Sequence, residues 1–278
     1  MKYFELNKIH NMDCVEGMKK YIPNKCIDCV ITSPPYDNIR KYEQSWSFDY
    51  IETINQLFRV VKQGGVVVWN VADQCIDGSE SGSSFKQALA FIDRGFRLHD
   101  TMIYEKNSPT FPAKVSGNRY TQIFEYMFVF SKGKPKTAKL ICDKANKQYP
   151  SFDGKIKPPP FSPRNNIWFY KTSFNETAAH GKKSTDHPAV MPLGMAVDHL
   201  KTWTNEGDVV LDPFMGSGTT AVACVKLDCN YVGFEVSELY LENSMHRIKK
   251  HFNNKGDLFS SVNKELANKI LEGENKNE

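Results

Sequence analysis

The stretch that most restricts what this chain can fold into is VVLDPFMGSGTT at residues 209–220. A short β-branched run stops at a turn holding two glycines, and AVACVKL (221–227) continues as a helix. Gly216 and Gly218 permit positive φ and close approach of backbone to a ligand. The start of the helix presents unpaired N–H groups. A second apolar run, YVGF, then ends in Glu235, 17 residues beyond Gly218. Strand, glycine turn, helix, strand and terminal carboxylate in that order describe a nucleotide-binding α/β unit whose acid holds a ribose diol.

The turn has neither GxxxxGK[ST] nor GxGxxG, and Asp212 beside it would face a phosphate with a like charge. An acid there suits a ligand that carries a cation instead. S-adenosylmethionine has an ammonium, a sulfonium and a ribose, and no phosphate. Along the whole chain, six helical patterns alternate with seven short strands, which predicts a single α/β domain. The strands are expected at 8–11, 28–32, 65–70, 98–104, 125–131, 209–212 and 231–235. The helices are expected at 15–22, 50–61, 84–94, 192–203, 219–227 and 237–252. A polar tail from Asn253 holds one short helical pattern, Val262–Leu271.

Hydrophobic residues make up 40% of the 278, and the net charge is only +4, which excludes an intrinsically disordered chain. No apolar run approaches the roughly 18 residues a membrane helix needs, and MKYFELNKIH lacks a secretory h-region. A cytoplasmic location is therefore expected, without a membrane partner. Seven cysteines, an odd number, fit reduced thiols. Cys26 and Cys29 form a CxxC without a second pair nearby, so no metal site is expected.

The small net charge conceals a split. Residues 131–185 contain twelve of the 36 Lys and Arg against Asp143, Asp153 and Glu176, a local balance of +9 that leaves −5 for the rest. Phe152, Phe161, Trp168, Phe169, Tyr170 and Phe174 are interleaved with these cations. Basic and aromatic residues mixed in this way suit phosphate contact and base stacking.

Near the N-terminus, DCVIT (28–32) stops at Ser33-Pro34-Pro35-Tyr36. Prolines remove N–H donors and leave nearby carbonyls free to accept. Ser33 and the Pro34 carbonyl then offer acceptors beside the flat face of Tyr36, a grip for the amino group of a planar aromatic amine. TSPPY at 32–36 together with DPFMGSGTT at 212–220 resembles the amino-methylating DNA methyltransferases. The catalytic motif comes first and the cofactor motif last, as in their circularly permuted β class. The segments NMDC (11–14), DHPAVMP (186–192), KQGGVVVWNVAD (62–73) and FEYMFVFSKGK (124–134) extend the likeness over about residues 8–250.

The resemblance implies a Rossmann-like, circularly permuted methyltransferase fold with a mixed seven-stranded sheet and an inserted recognition region. Residues 1–130 and 186–252 would form the catalytic domain, 131–185 the target-recognition region and 253–278 a C-terminal extension. It implies catalysis by Ser33, Pro34, Pro35 and Tyr36. S-adenosylmethionine would be bound by Asp13, Cys14, Asp212, Phe214, Gly216, Gly218, Thr219, Thr220 and Glu235. Double-stranded DNA would be gripped by Lys106, Lys114, Arg119, Lys132, Lys134, Lys136, Lys139 and Arg164. The base would be flipped out of the duplex. Ser at the first motif position is typical of N4-cytosine members, whereas Asp marks N6-adenine members. A cognate restriction endonuclease and a homodimer are further partner expectations. The rival readings are N6-adenine methylation, methylation of an amine on RNA or protein, and a catalytically silent DNA-binding module.

Overall fold

The computed structural model describes residues 4–35, 48–107, 120–146, 159–171 and 190–254. Eight strands form the main sheet: β1 (Lys8–Asn11), β2 (Ile27–Thr32), β3 (Val61–Val71), β6 (Arg97–Lys106), β7 (Phe124–Ser131), β10 (Ile167–Tyr170), β11 (Val209–Asp212) and β12 (Asn230–Glu235). Their spatial order is β1-β12-β11-β2-β3-β7-β6-β10. All neighbours are parallel except β7, which runs antiparallel to both β3 and β6. Two minor ribbons pair β4 (Cys75–Ile76) with β5 (Ser79–Glu80), and β8 (Lys144–Ala145) with β9 (Phe161–Ser162).

Helices cover both faces of the sheet. On one side α1 (Cys14–Tyr21), α2 (Tyr50–Val60) and α3 (Ser83–Arg94) bury Met18, Leu57 and Phe91 against Val30, Val67 and Leu211. On the other, α4 (Leu193–Trp203), α5 (Thr219–Lys226) and α6 (Glu238–Asn254) bury Leu200, Val222 and Ile248 against Cys29, Ile31 and Val68. Central strands covered on both faces read as continuous apolar runs, which is why IDCVIT and VVLD were visible as strands. Cys29 is one of these core residues, packing as a small hydrophobe.

The seven expected strands are present, and the sheet gains an eighth. IWFY at 167–170, within the basic segment, pairs parallel to β6 at the sheet edge. Trp168 is buried there and packs against the ring of His199 at 4.7 Å. Two of the three aromatic residues at Trp168–Tyr170 therefore serve sheet packing: Trp168 lies in the core and Tyr170 is packed against it, while Phe169 is exposed. Val262–Leu271 lies outside the described residues.

The order of strands fixes where a ligand can enter. From β11 the chain crosses by α5 to β12 on one side, whereas from β2 it crosses by α2 to β3 on the other. The connections thus diverge between β11 and β2. In open parallel sheets such a divergence opens a crevice at the carboxyl ends of the strands. Both motifs leave the sheet at that crevice.

Candidate active site

Thr32 ends β2 and Asp212 ends β11, and their side chains meet: the Thr32 hydroxyl donates to Asp212 Oδ1 at 2.6 Å. Thr220, in the first turn of α5, donates to Asp212 Oδ2 at 2.6 Å and lies 3.3 Å from the Ile31 carbonyl. The Phe214 N–H completes the set at 3.0 Å from Oδ1. Asp212 is fully enclosed, and burial pushes its carboxyl up to about 6. Its oxygens are engaged with protein donors on three elements, so it clasps the catalytic strand to the glycine turn. Its charge at this place would oppose a phosphate.

Gly216 and Gly218 have φ of +51° and +79°, as the turn chemistry required. A Cβ on Gly218 would stand 2.8 Å from Ser244 Cβ on α6, so this glycine also serves helix packing. Glu235 accepts from the Gly216 N–H at 2.8 Å and from the Ser237 N–H at 2.9 Å. Burial raises its carboxyl, and those two N–H groups partly offset the rise. Each oxygen keeps a further lone pair for a diol. Thr219 and Thr220 are buried, and Phe214 lies edge-on to Phe48 at 5.2 Å and 6.3 Å from the Trp69 ring. Two carboxyls at one glycine turn make an electronegative niche, which fits a sulfonium and an ammonium and disfavours phosphate.

Asp13 follows β1, where Asn11 pairs with Glu235, so it stands at the same edge. Its carboxylate caps α1, accepting from the Val15 and Glu16 N–H groups. Cys14 is turned into the core 4.0 Å from Thr53 Oγ1, and burial pushes its thiol up to about 12. That thiol packs in the core. Ser33 and Pro35 are half-buried and Pro34 is buried at the end of β2, directly across the crevice from the glycine turn. Tyr36 lies outside the described residues. Sequence reasoning did not single out Thr32 or Arg247. The latter reaches from α6 to the Ser217 carbonyl and hydroxyl, both at 2.6 Å, and pins the turn. Neither carries a local signal, because both contacts exist only once distant segments meet.

The expected DNA contacts fare differently. Lys132 is buried, and its ammonium donates to the Phe58 and Val61 carbonyls and sits 4.3 Å above the Phe58 ring. It neutralises the carboxyl end of α2. Lys134 and Lys136 are exposed, but the Lys136 N–H bonds the Gly64 carbonyl and Lys139 bonds Thr202 and Thr204. Those partners lie where β3 begins and α4 ends, the edge of the sheet opposite the crevice. Arg164 forms ion pairs with Asp143 and Asp198 and lies 5.1 Å above Trp168, joining the segment to α4. Lys106 is buried in an ion pair with Glu125. Lys106, Lys132 and Arg164 thus have protein partners for their charge, while Lys134 and Lys136 are exposed. Lys114 and Arg119 lie outside the described residues. Among those residues no group of His, Cys, Asp or Glu is arranged for a metal ion, and no helix is long and apolar enough to cross a membrane.

Comparison with known proteins agrees with this geometry. The family described as DNA methylase, the N6/N4 methyltransferases, matches residues 27–246. The orphan methyltransferase M.BamHII of Bacillus amyloliquefaciens is 47% identical over 251 residues, covering 84% of this chain and 93% of its own. The type II methyltransferase M.SmaI of Serratia marcescens is 29% identical, with 85% and 87% covered. Among solved structures, the M1.HpyAVI–SAM complex superposes with a TM-score of 0.59 at 25% identity, covering 86% of this chain and 98% of its own. The PvuII DNA methyltransferase (cytosine-N4-specific) superposes with a TM-score of 0.66 at 20% identity, covering 98% and 95%, a likeness of fold.

Proposed function

The chain belongs to the N6/N4 DNA methylase family, and on that premise we propose that it methylates the exocyclic N4 of cytosine in DNA. S-adenosylmethionine is the cofactor and supplies an electrophilic methyl group on its sulfonium. The observation that carries the cytosine reading is Ser33 at the head of Ser33-Pro34-Pro35-Tyr36.

A nucleobase amine is a weak nucleophile because its lone pair is delocalised into the ring. Ser33 and the Pro34 carbonyl, fixed at the end of β2, accept from the two amine N–H groups. They favour a pyramidal nitrogen whose lone pair turns toward β11. Tyr36 stacks on the base. Glu235 would hold the ribose diol, and the glycine turn would hold the rest of the methyl donor beside it. The Asp212 clasp keeps the two motifs at a fixed separation, so the residues contribute positioning and electrostatics with no covalent intermediate on the enzyme. Neutral Ser33 both donates and accepts, which suits an amine flanked by the cytosine N3 acceptor.

Nucleosides from DNA treated with the enzyme, separated by mass spectrometry, are expected to contain N4-methylcytosine. N6-methyladenine as the sole product would overturn the cytosine reading and leave the family intact. A cognate endonuclease and a second copy of the chain remain part of this proposal as partners, tested by co-purification and by the mass in solution.

A further inference from the structure

On the face of the sheet that packs against α4 and α5, β3 contributes Val66 and Val68, β7 contributes Met127 and Val129, and β6 contributes Met102 and Tyr104. The next position in each alternation, at the carboxyl edge of the sheet, is polar: Asn70, Glu125 and Lys106. All three are buried. Asn70 Nδ2 donates to Glu125 Oε2 at 2.6 Å, and Lys106 Nζ pairs with Glu125 Oε1. The ion-paired side chains are 5% and 11% exposed. A buried pair of this kind seldom stabilises more than apolar residues of the same volume. Three coordinated breaks in an apolar pattern point to a site.

The position of the trio says what it meets. Thr32 pairs with Trp69, so Ser33 follows beside Asn70. The cofactor residues lie on β11, β12 and β1, on one side of β2, and the methyl group arrives from there. The ring of a base whose amine sits at Ser33 must therefore extend the other way, over β3, β7 and β6. Lys106 leans back onto Glu125 of β7, two strands from β2, or roughly 10 Å at the usual strand spacing. The Watson–Crick edge of a cytosine with a hydrogen bond at each end also spans about 10 Å.

We infer that Lys106 is a specificity-determining residue that donates to the O2 carbonyl of the flipped cytosine, with Glu125 and Asn70 as positioning residues that hold its ammonium. This rests on the cytosine reading above. An ammonium carries three donors, and Glu125 engages it through Oε1. Adenine presents C2–H at the corresponding place and offers no acceptor. A site built to hydrogen-bond a group discriminates strongly against a substrate lacking it.

The test uses the full-length enzyme on a duplex carrying its mapped site, with the target either cytosine or a 2-aminopyridine C-nucleoside. The analogue keeps the amine and adjacent ring nitrogen and lacks the carbonyl. Wild-type kcat/KM is expected to fall roughly 10- to 100-fold on the analogue, the value of a charged hydrogen bond. The charge-neutral pair Lys106→Met with Glu125→Gln should lose a similar factor on cytosine and show no further loss on the analogue, with cofactor affinity unchanged. An equal loss by the variant on both substrates overturns the assignment, as does wild-type indifference to the carbonyl. If the variant does not fold, the wild-type comparison decides alone. Production of N6-methyladenine alone by the wild type overturns the cytosine reading instead, which separates the two failures.

Discussion

The glycine turn at 212–220 and the basic segment at 131–171 were both conspicuous in the sequence, and they translate into structure in opposite ways. In the turn, spacing specifies geometry. Glycines adopt positive φ, the strand-end acid meets the turn backbone, and the threonines face the clasp. In the basic segment, a count of charges specifies little. Lys132 caps a helix, Arg164 ties two acids together, and Lys134 and Lys136 project at the edge away from the crevice. A motif states where its atoms must be, because one conformation satisfies it. A composition does not, because long cationic side chains can be satisfied by any nearby carbonyl or carboxylate.

The contrast can be broken most forcefully at Gly218. Alanine there meets both the left-handed φ and the Ser244 contact, a combined cost of about 3 kcal/mol. Calorimetric titration with S-adenosylmethionine should show binding weakened roughly 100-fold. Unchanged affinity would mean that the turn tolerates more than its geometry implies.

Asp212 gives a pH signature of comparable size. Its folded carboxyl, at about 6, is above the unfolded value of 3.8. The associated stability is fully present below pH 4 and is lost as pH rises through 6, about 3 kcal/mol over that window. Chemical denaturation of wild type and Asp212→Asn should therefore differ more at pH 7 than at pH 4, because only the wild-type side chain ionises across that window. A pH-independent difference would indicate a carboxylate that stays ionised in its clasp.

Smaller effects probe the other region. Lys132→Met should lower stability by about 1–2 kcal/mol through the lost carbonyl contacts. Its salt dependence of DNA binding should match wild type. Replacing Lys134 and Lys136 together by Gln should change stability by less than about 0.5 kcal/mol and leave DNA affinity alone. A fall in the salt slope of about two would show that DNA wraps to the far edge and restore the charge-count reading.

The central strands were legible because burial on both faces excludes polar residues. In contrast, β1 and β6 are largely exposed and showed only through short apolar and β-branched stretches. The eighth, Ile167–Tyr170, is an edge strand embedded among lysines, and its aromatic residues suggested stacking on bases. Gly216, Gly218 and Glu235 were legible because local backbone demands select them. Thr32 and Arg247 were not, since their partners lie 180 and about 30 residues away in the chain. The trio Asn70, Glu125 and Lys106 was hidden for the same reason. Each residue is a single polar position in its own strand, and only the antiparallel pairing of β7 between β3 and β6 assembles them.

The Asp212 clasp also sets a timetable for synthesis. Thr32 leaves the ribosome 180 residues before its partner, an interval of roughly ten to forty seconds at ordinary elongation rates. During that interval β2 has no β11 to lie against, and a contact of such sequence separation closes late in folding. A growing chain thus carries the Ser33-Pro34-Pro35 turn before β11 and the glycine turn exist to face it. The clasp can close only after β11 has been made and has taken its place beside β2.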